Sequence, residues 1–296
     1  MSKKDAYRLF DAHCDTALRI LAGESLLDRK GPVSCRKAEK FSCWRQVFAF
    51  CCEMPEQPGD ILWEQLSAQA AEFRRRTPDR VHAVLGVEGC EQLSREDGAE
   101  KAFAAGFRIF GITWNYDNRF CGAAAGSGSG LTEEGRALVR RLGELRAAVD
   151  CSHMSDRGFY DLCDAAEKPF FASHSNARAL CGHPRNLTDD QLRKLAEIGG
   201  VAGVNFYVPF LTDEKHASVS DVCDHILHMM NILGPKGVCL GMDFDGCDRL
   251  PRGLERMDRL VRLVRALLRR GLSPAEVQGL LHDNLYDFLH NKLRSI

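Results

Sequence analysis

The chain has 296 residues, 45% of them hydrophobic, enough for one large domain with a sizeable core. Forty basic residues against 41 acidic ones leave a net charge of −1, which removes the electrostatic case for a nucleic-acid or anionic-membrane partner. No apolar stretch approaches the roughly 20 residues that cross a bilayer, and Met1 to Asp5 enter the first apolar run almost at once, so no signal segment is expected.

Eight short apolar runs read as buried strands, at 7–13, 46–52, 81–87, 107–113, 147–152, 169–173, 200–206 and 237–242. Helical periodicity falls between them, at 63–76, 91–105, 133–146, 155–166, 188–198 and 218–233. Thr188 and Gln191 have capping-box spacing, as do Ser273 and Glu276, with Pro274 at the first helical position. Strand and helix alternate without a linker, which predicts one domain built on a parallel sheet. Eight such units predict a (β/α)8 TIM barrel, a fold that takes roughly 250 residues. Two stretches read as loops: 21–45, and the glycine-rich 121–130, expected to be a mobile rim loop or lid. The second lacks the Gly-Lys-Ser/Thr ending of a phosphate-binding loop. Arg74 to Arg76 and Arg269-Arg270 read as solvated helix faces. The 13 cysteines are scattered, with Cys51, Cys52, Cys151 and Cys239 in expected strands, and read as reduced core residues.

Metal-type side chains stand at the ends of five of these runs: His13 and Asp15, Glu88, His153, His174 and Asp243. A barrel collects such strand exits at one rim, where its active sites lie. Two residues apart, His13 and Asp15 can chelate one cation. His153 and His174 can hold another, and Glu88 has two oxygens with which to bridge the pair. Imidazole with carboxylate suits Zn²⁺. Two such ions about 3.5–4 Å apart would hold a hydroxide, since metal binding lowers the pKa of water to about 7. Asp243 would carry its proton to a leaving amine. Cys14 and Cys151 neighbour the proposed ligands, and His183 lies near the site sequence; their roles stay open at this point. His82 starts a strand, while His216, His225, His228, His282 and His290 lie on or near helices.

The segments Asp11-Ala-His-Cys-Asp15, Gly86-Val-Glu-Gly89, Asp150-Cys-Ser-His153, Ser173-His-Ser-Asn176, Pro184-Arg-Asn186, Val204-Asn-Phe-Tyr207 and Gly241-Met-Asp-Phe-Asp-Gly246 resemble the membrane (renal) dipeptidase family. The resemblance implies an amidohydrolase-like barrel with two zinc ions that hydrolyses dipeptides, often with a D-residue at the C-terminal position. It assigns His13 and Asp15 to one zinc, His153 and His174 to the other, and Glu88 to both. It gives Arg185 the substrate carboxylate, which a guanidinium fork suits. Tyr207 falls at the substrate pocket, and Asp243 at the catalytic acid/base. Trp114 replaces a histidine that well-known members carry after the fourth strand. Oxyanion stabilisation is then expected from the metals, Asn115 or Arg185. Without a leader or lipid-anchor tail, the expectation is a soluble, cytoplasmic, bacterial-type member, with a dipeptide substrate and a homodimer as the possible assembly. Two rivals remain from sequence: another binuclear amidohydrolase acting on N-acyl amino acids, cyclic amides or β-lactams, and a catalytically silent barrel.

Overall fold

The computed structural model describes residues 6–51 and 57–294; Cys52, expected to end the second strand, lies outside them. Seven strands form one sheet: β1 (Leu9–Asp11), β2 (Trp44–Cys51), β3 (His82–Glu88), β4 (Phe107–Gly111), β5 (Ala148–Asp150), β6 (Ala202–Val204) and β7 (Val238–Leu240). Their order is β5-β4-β3-β2-β1-β7-β6, every pair parallel. This leaves β5 and β6 at the two edges.

The expected sixth strand, 169–173, lies between those edges. It is not a regular strand but a pair of single bridges, Asp150 to Phe171 and Ala172 to Ala202. Phe171 donates to Val149 O at 3.1 Å, and Gly203 donates to Ala172 O at 2.8 Å. These links close the sheet into a (β/α)8 barrel. The Ser173 carbonyl sits against the Cα atoms of Gly203 and Gly241, where any Cβ would collide with it. The sixth stave ends at this close approach of the Ser173 carbonyl to its neighbours.

Phe10, Ala12, Val47, Val84, Ile109, Ala148, Phe171, Val201 and Cys239 fill the barrel interior, together with Leu285, Phe288, Leu289 and Leu293. The latter four come from a C-terminal helical stretch beginning at Pro274. Asn284 fastens that stretch to Val238 O at 2.7 Å, and Arg8 N–H donates to Gln278 at 3.0 Å. Both anchors precede or begin strands, so the stretch plugs the N-terminal mouth. A second, larger apolar cluster packs the helices onto the outside of the strands.

The expected caps form. Thr188 with Gln191 and Ser273 with Glu276 both make complete capping boxes, the latter with Pro274 in the first turn. The expected helix 91–105 is divided into a 3₁₀ turn at Cys90–Leu93 and a helix at Gly98–Ala104. Ser94 is the cause: its hydroxyl donates to Glu91 O at 2.5 Å, and Gly98 N–H turns back to Arg95 O. Loop 21–45 contains one helical turn, Cys35–Ala38, capped by Ser34. The buried Arg29 docks this excursion on the rim through a two-pronged ion pair with Asp245, at 2.7 and 3.0 Å. The glycine-rich stretch 121–130 is tethered: Asp117 accepts from Ala123 N and Ser127 N, and Ser155 donates to Ser129 O.

Candidate metal centre

The C-terminal rim gathers six side chains from β1, β3, β5, β7 and the short sixth stave. Ligand atoms of His13, Asp15 and Glu88 lie within 4.8 Å of one another, and so do those of Glu88, His153 and His174. Glu88 belongs to both triads. Glu88 Oε1 lies 3.6 Å from His13 Nε2, 3.0 Å from His153 Nε2 and 3.5 Å from His174 Nε2. Asp15 Oδ2 is 3.7 Å from His13 Nε2. Ligands bonded at about 2.1 Å around a tetrahedral ion stand roughly 3.4 Å apart. These separations therefore fit atoms that share an ion better than atoms that merely pack.

Orphaned groups point the same way. His13 Nε2, Asp15 Oδ1 and His153 Nδ1 are buried without a hydrogen-bond partner. His153 Nε2 and His174 Nε2 face each other at 2.9 Å, so at least one must carry a proton unless a cation lies between them. A Cβ on Gly246 would run into the carboxylates of Asp15 and Asp243, so that glycine leaves the space between them open. His153 and Asp243 hold φ values of 70° and 58°, a backbone conformation that non-glycine residues keep only when the surroundings enforce it.

Electrostatics match this composition. Burial pushes the Glu88 and Asp243 carboxyls above the usual range, with Asp15's negative charge adding to it. Burial works to lower His13, but the Glu88, Asp15 and Asp243 carboxylates outweigh it and raise the imidazole to about 10. His153 and His174 go the other way, well below the ordinary histidine value, because of burial and the nearby Arg185 and His13 cations. Two neutral imidazoles, His153 and His174, beside three crowded carboxyl groups offer a donor set suited to a divalent cation.

A sequence model of the membrane dipeptidase family, peptidase family M19, matches residues 63–291, well over half of the chain. The chain belongs to the membrane dipeptidase family. The matched span includes Glu88, His153, His174, Arg185 and Asp243, and begins after His13 and Asp15. The chain is also 37% identical over 267 residues to an uncharacterised protein in the pqqA 5′ region of Klebsiella pneumoniae, covering 80% of this chain and 98% of that one. It is 34% identical over 213 residues to an uncharacterised dipeptidase of Schizosaccharomyces pombe. That alignment covers 70% of this chain and 52% of the yeast protein, so the chain spans about half the length of that dipeptidase. Among solved structures, a Rhodobacter sphaeroides metallo peptidase with a phosphinate mimic of L-Ala-D-Ala superposes with a TM-score of 0.82. The two are 27% identical, with 97% of this chain and 100% of that one covered. An amidohydrolase of Burkholderia multivorans shares the fold alone, at 17% identity and a TM-score of 0.54, with 95% and 99% covered.

Beside these six side chains, Arg185 is 6% exposed, and its Nε and Nη2 have no hydrogen-bond partner. Nη1 makes only a long contact of 3.4 Å to Ser175, and the guanidinium lies over Phe210 at 5.5 Å. Burial lowers its pKa, with the Glu88 and Asp243 charges offsetting this. His183 is no ligand-cluster member: its Nδ1 accepts from Arg185 N–H and braces that loop. Cys14 and Cys151 pack in the apolar cluster outside the strands, which settles their direction. Tyr207 turns its hydroxyl toward Asp248 and Arg249 and its ring edge onto Phe210. Trp114 is half-buried, edge-on to Tyr116, and Asn115 is exposed.

Several supporting residues carried no sequence signal of their own; Asn205, Asn176 and Asp11 lie in the quoted segments, and Glu91 lies outside them. Asn205 donates to Asp243 Oδ2 at 2.9 Å and accepts from Tyr207 N at 2.6 Å. Asn176 in turn accepts from Asn205 N at 2.8 Å. Asp11 is fully buried, raised to about 7 by desolvation, and joins three strands through Gln46 and Met242 N. Glu91 accepts from Tyr116 and Asn118, tying the exits of β3 and β4 together.

Proposed function

We propose that this chain is a zinc-dependent dipeptidase with two zinc ions, held by His13, Asp15 and Glu88 on one side and by Glu88, His153 and His174 on the other. The observation that carries the reading is the pair of triads sharing Glu88, with Arg185 buried beside them and two of its guanidinium nitrogens lacking hydrogen-bond partners. Bound zinc would supply a water molecule acidic enough to ionise near neutral pH and a Lewis acid for the scissile carbonyl. Asp243, held by Asn205 at Oδ2 and raised by burial, takes a proton at Oδ1 and gives it to the leaving amine. Arg185 binds the terminal carboxylate of the substrate, an acceptor that satisfies its orphaned donors. Tyr207, Trp114 and Asn115 border the substrate. The L-Ala-D-Ala mimic bound by the Rhodobacter relative supports an L-Xaa-D-Xaa preference.

No helix among the described residues is long and apolar enough to cross a membrane. The twelve cysteines described are all free, which supports a reducing, cytoplasmic setting. A homodimer is the proposed assembly, and no nucleic acid or membrane partner is invoked.

The test is a panel of L,L- and L,D-dipeptides, their C-terminal amides, N-acyl amino acids and β-lactams, run on the native protein and on Arg185→Ala. The native protein is expected to cleave free dipeptides best. Arg185→Ala should raise KM for them by about ten- to a hundredfold, the loss of charged hydrogen bonds, while KM for the amides changes little. Equal effects on acids and amides would remove Arg185 from carboxylate recognition, and preferential cleavage of N-acyl amino acids or lactams would replace the dipeptidase reading.

A further inference from the structure

The two histidines of the second triad are supported differently. His153 Nδ1 has no partner. His174 Nδ1 lies 2.6 Å from Ser173 Oγ, and that hydroxyl makes a short hydrogen bond to Asp150 Oδ2. Asp150 Oδ1 accepts from Ser152 N at 2.9 Å and Ser173 N at 2.8 Å. Two backbone donors thus fix which carboxylate oxygen faces the serine. All three side chains are buried, at 4% exposure for Asp150, 0% for Ser173 and 1% for His174.

A hydroxyl carries one proton. Donated to Asp150, it leaves Ser173 Oγ as an acceptor toward the ring, so His174 Nδ1 must carry the imidazole proton. Nε2 is then a bare lone pair, and it is the atom facing Glu88 Oε1 at 3.5 Å. We propose that Asp150, acting through Ser173, is a positioning residue that sets the tautomer in which His174 can bind a cation. The inference rests on the zinc reading above and deepens it. Outer partners of this kind orient the ring and raise its basicity, and their loss costs about 10- to 100-fold in metal affinity.

The geometry predicts an unusual ranking. Asp150→Asn keeps size and shape. Its amide oxygen must face the two backbone N–H groups, so its NH₂ faces Ser173 and donates to it. The serine then donates to His174 Nδ1 and drives the ring proton to Nε2, where it blocks the cation. Ser173→Ala removes the relay without reversing it. The conservative change should therefore do more harm than the truncation. An oxygen of Asp150 also lies within 4.8 Å of the ligand atoms of His13 and His174, so direct ligation is the competing role.

Metal-free native protein, Ser173→Ala and Asp150→Asn would be titrated with zinc against a chromophoric chelator. Long-range ¹H–¹⁵N spectra of the metal-free proteins would report each histidine tautomer. The native protein should bind two zinc ions and show His174 protonated at Nδ1. Ser173→Ala should weaken one site by about tenfold and Asp150→Asn the same site by about a hundredfold, the latter with His174 protonated at Nε2. Native affinity and tautomer in Ser173→Ala would overturn the relay. So would loss of zinc from Asp150→Asn with the His174 tautomer unchanged, which assigns Asp150 as a ligand. A native protein that binds no zinc would refute the zinc reading instead, and the tautomer spectra alone would then decide the relay.

Discussion

The same staves of the barrel end in two opposite ways. At the N-terminal mouth, Leu285, Phe288, Leu289 and Leu293 close the interior against Phe10, Val47, Val84, Phe171 and Val201. At the C-terminal rim, His13, Asp15, His153 and Arg185 keep buried polar atoms without partners. The first end is closed mainly by apolar side chains and gains from burial of their surface. The second carries unsatisfied donors, acceptors and like charges, each costly unless a ligand satisfies it. Stability is concentrated at one end so that the other can be held in an arrangement that is unfavourable on its own.

Changes at the two ends should therefore separate activity from stability. The largest activity effect is expected at the rim: Asp243→Asn should retain both zinc ions while kcat falls by about 10²- to 10⁴-fold, the span of general acid–base catalysis. Undiminished turnover in that variant would remove Asp243 from proton transfer. At the sealed end, Phe288→Ala should cost about 3–5 kcal/mol of stability, because a fully buried ring against Phe171 is lost. Zinc content and KM should stay native in the fraction that is folded; a changed KM would show that the two ends are not independent.

The smallest effect concerns pH and metal-free protein. His13, raised from 6.5 to about 10, binds its proton more tightly folded than unfolded, and the raised Glu88 and Asp243 do the same at lower pH. The folded state then holds the excess protons, so its stability is lost as they leave with rising pH. His153 and His174 are lowered and act only below the ordinary histidine value, where they remove stability as pH falls. The metal-free Tm should accordingly decline from about pH 7 to about pH 9 by several degrees. Added zinc should flatten the decline, since cations replace the departing protons; a flat metal-free profile would contradict the charge balance described here.

Most of the barrel was legible in the chain because buried parallel strands are continuously apolar, and because His13, Glu88, His153, His174 and Asp243 interrupt those runs at their ends. The sixth stave was legible as an apolar run at 169–173, but its reduction to two bridges was not, since it depends on Gly203 and Gly241 admitting the Ser173 carbonyl from other strands. The broken helix after β3 was missed because periodicity cannot register a serine hydroxyl that captures a carbonyl three residues back. Arg29 lies in the loop 21–45 without a motif around it, and its partner Asp245 lies 216 positions away. Asp150, Ser173 and Asn205 stand in the quoted segments, yet their work is done through contacts between elements. Composition and spacing carry no trace of those contacts.

The central claim is that the rim is built around two shared cations. Metal analysis of the purified native protein, beside Glu88→Ala, tests it most directly. Two equivalents of zinc per native chain, with both lost when Glu88 is removed, is the expected result. A native chain without bound divalent metal, or a Glu88→Ala variant that keeps both ions, would contradict it.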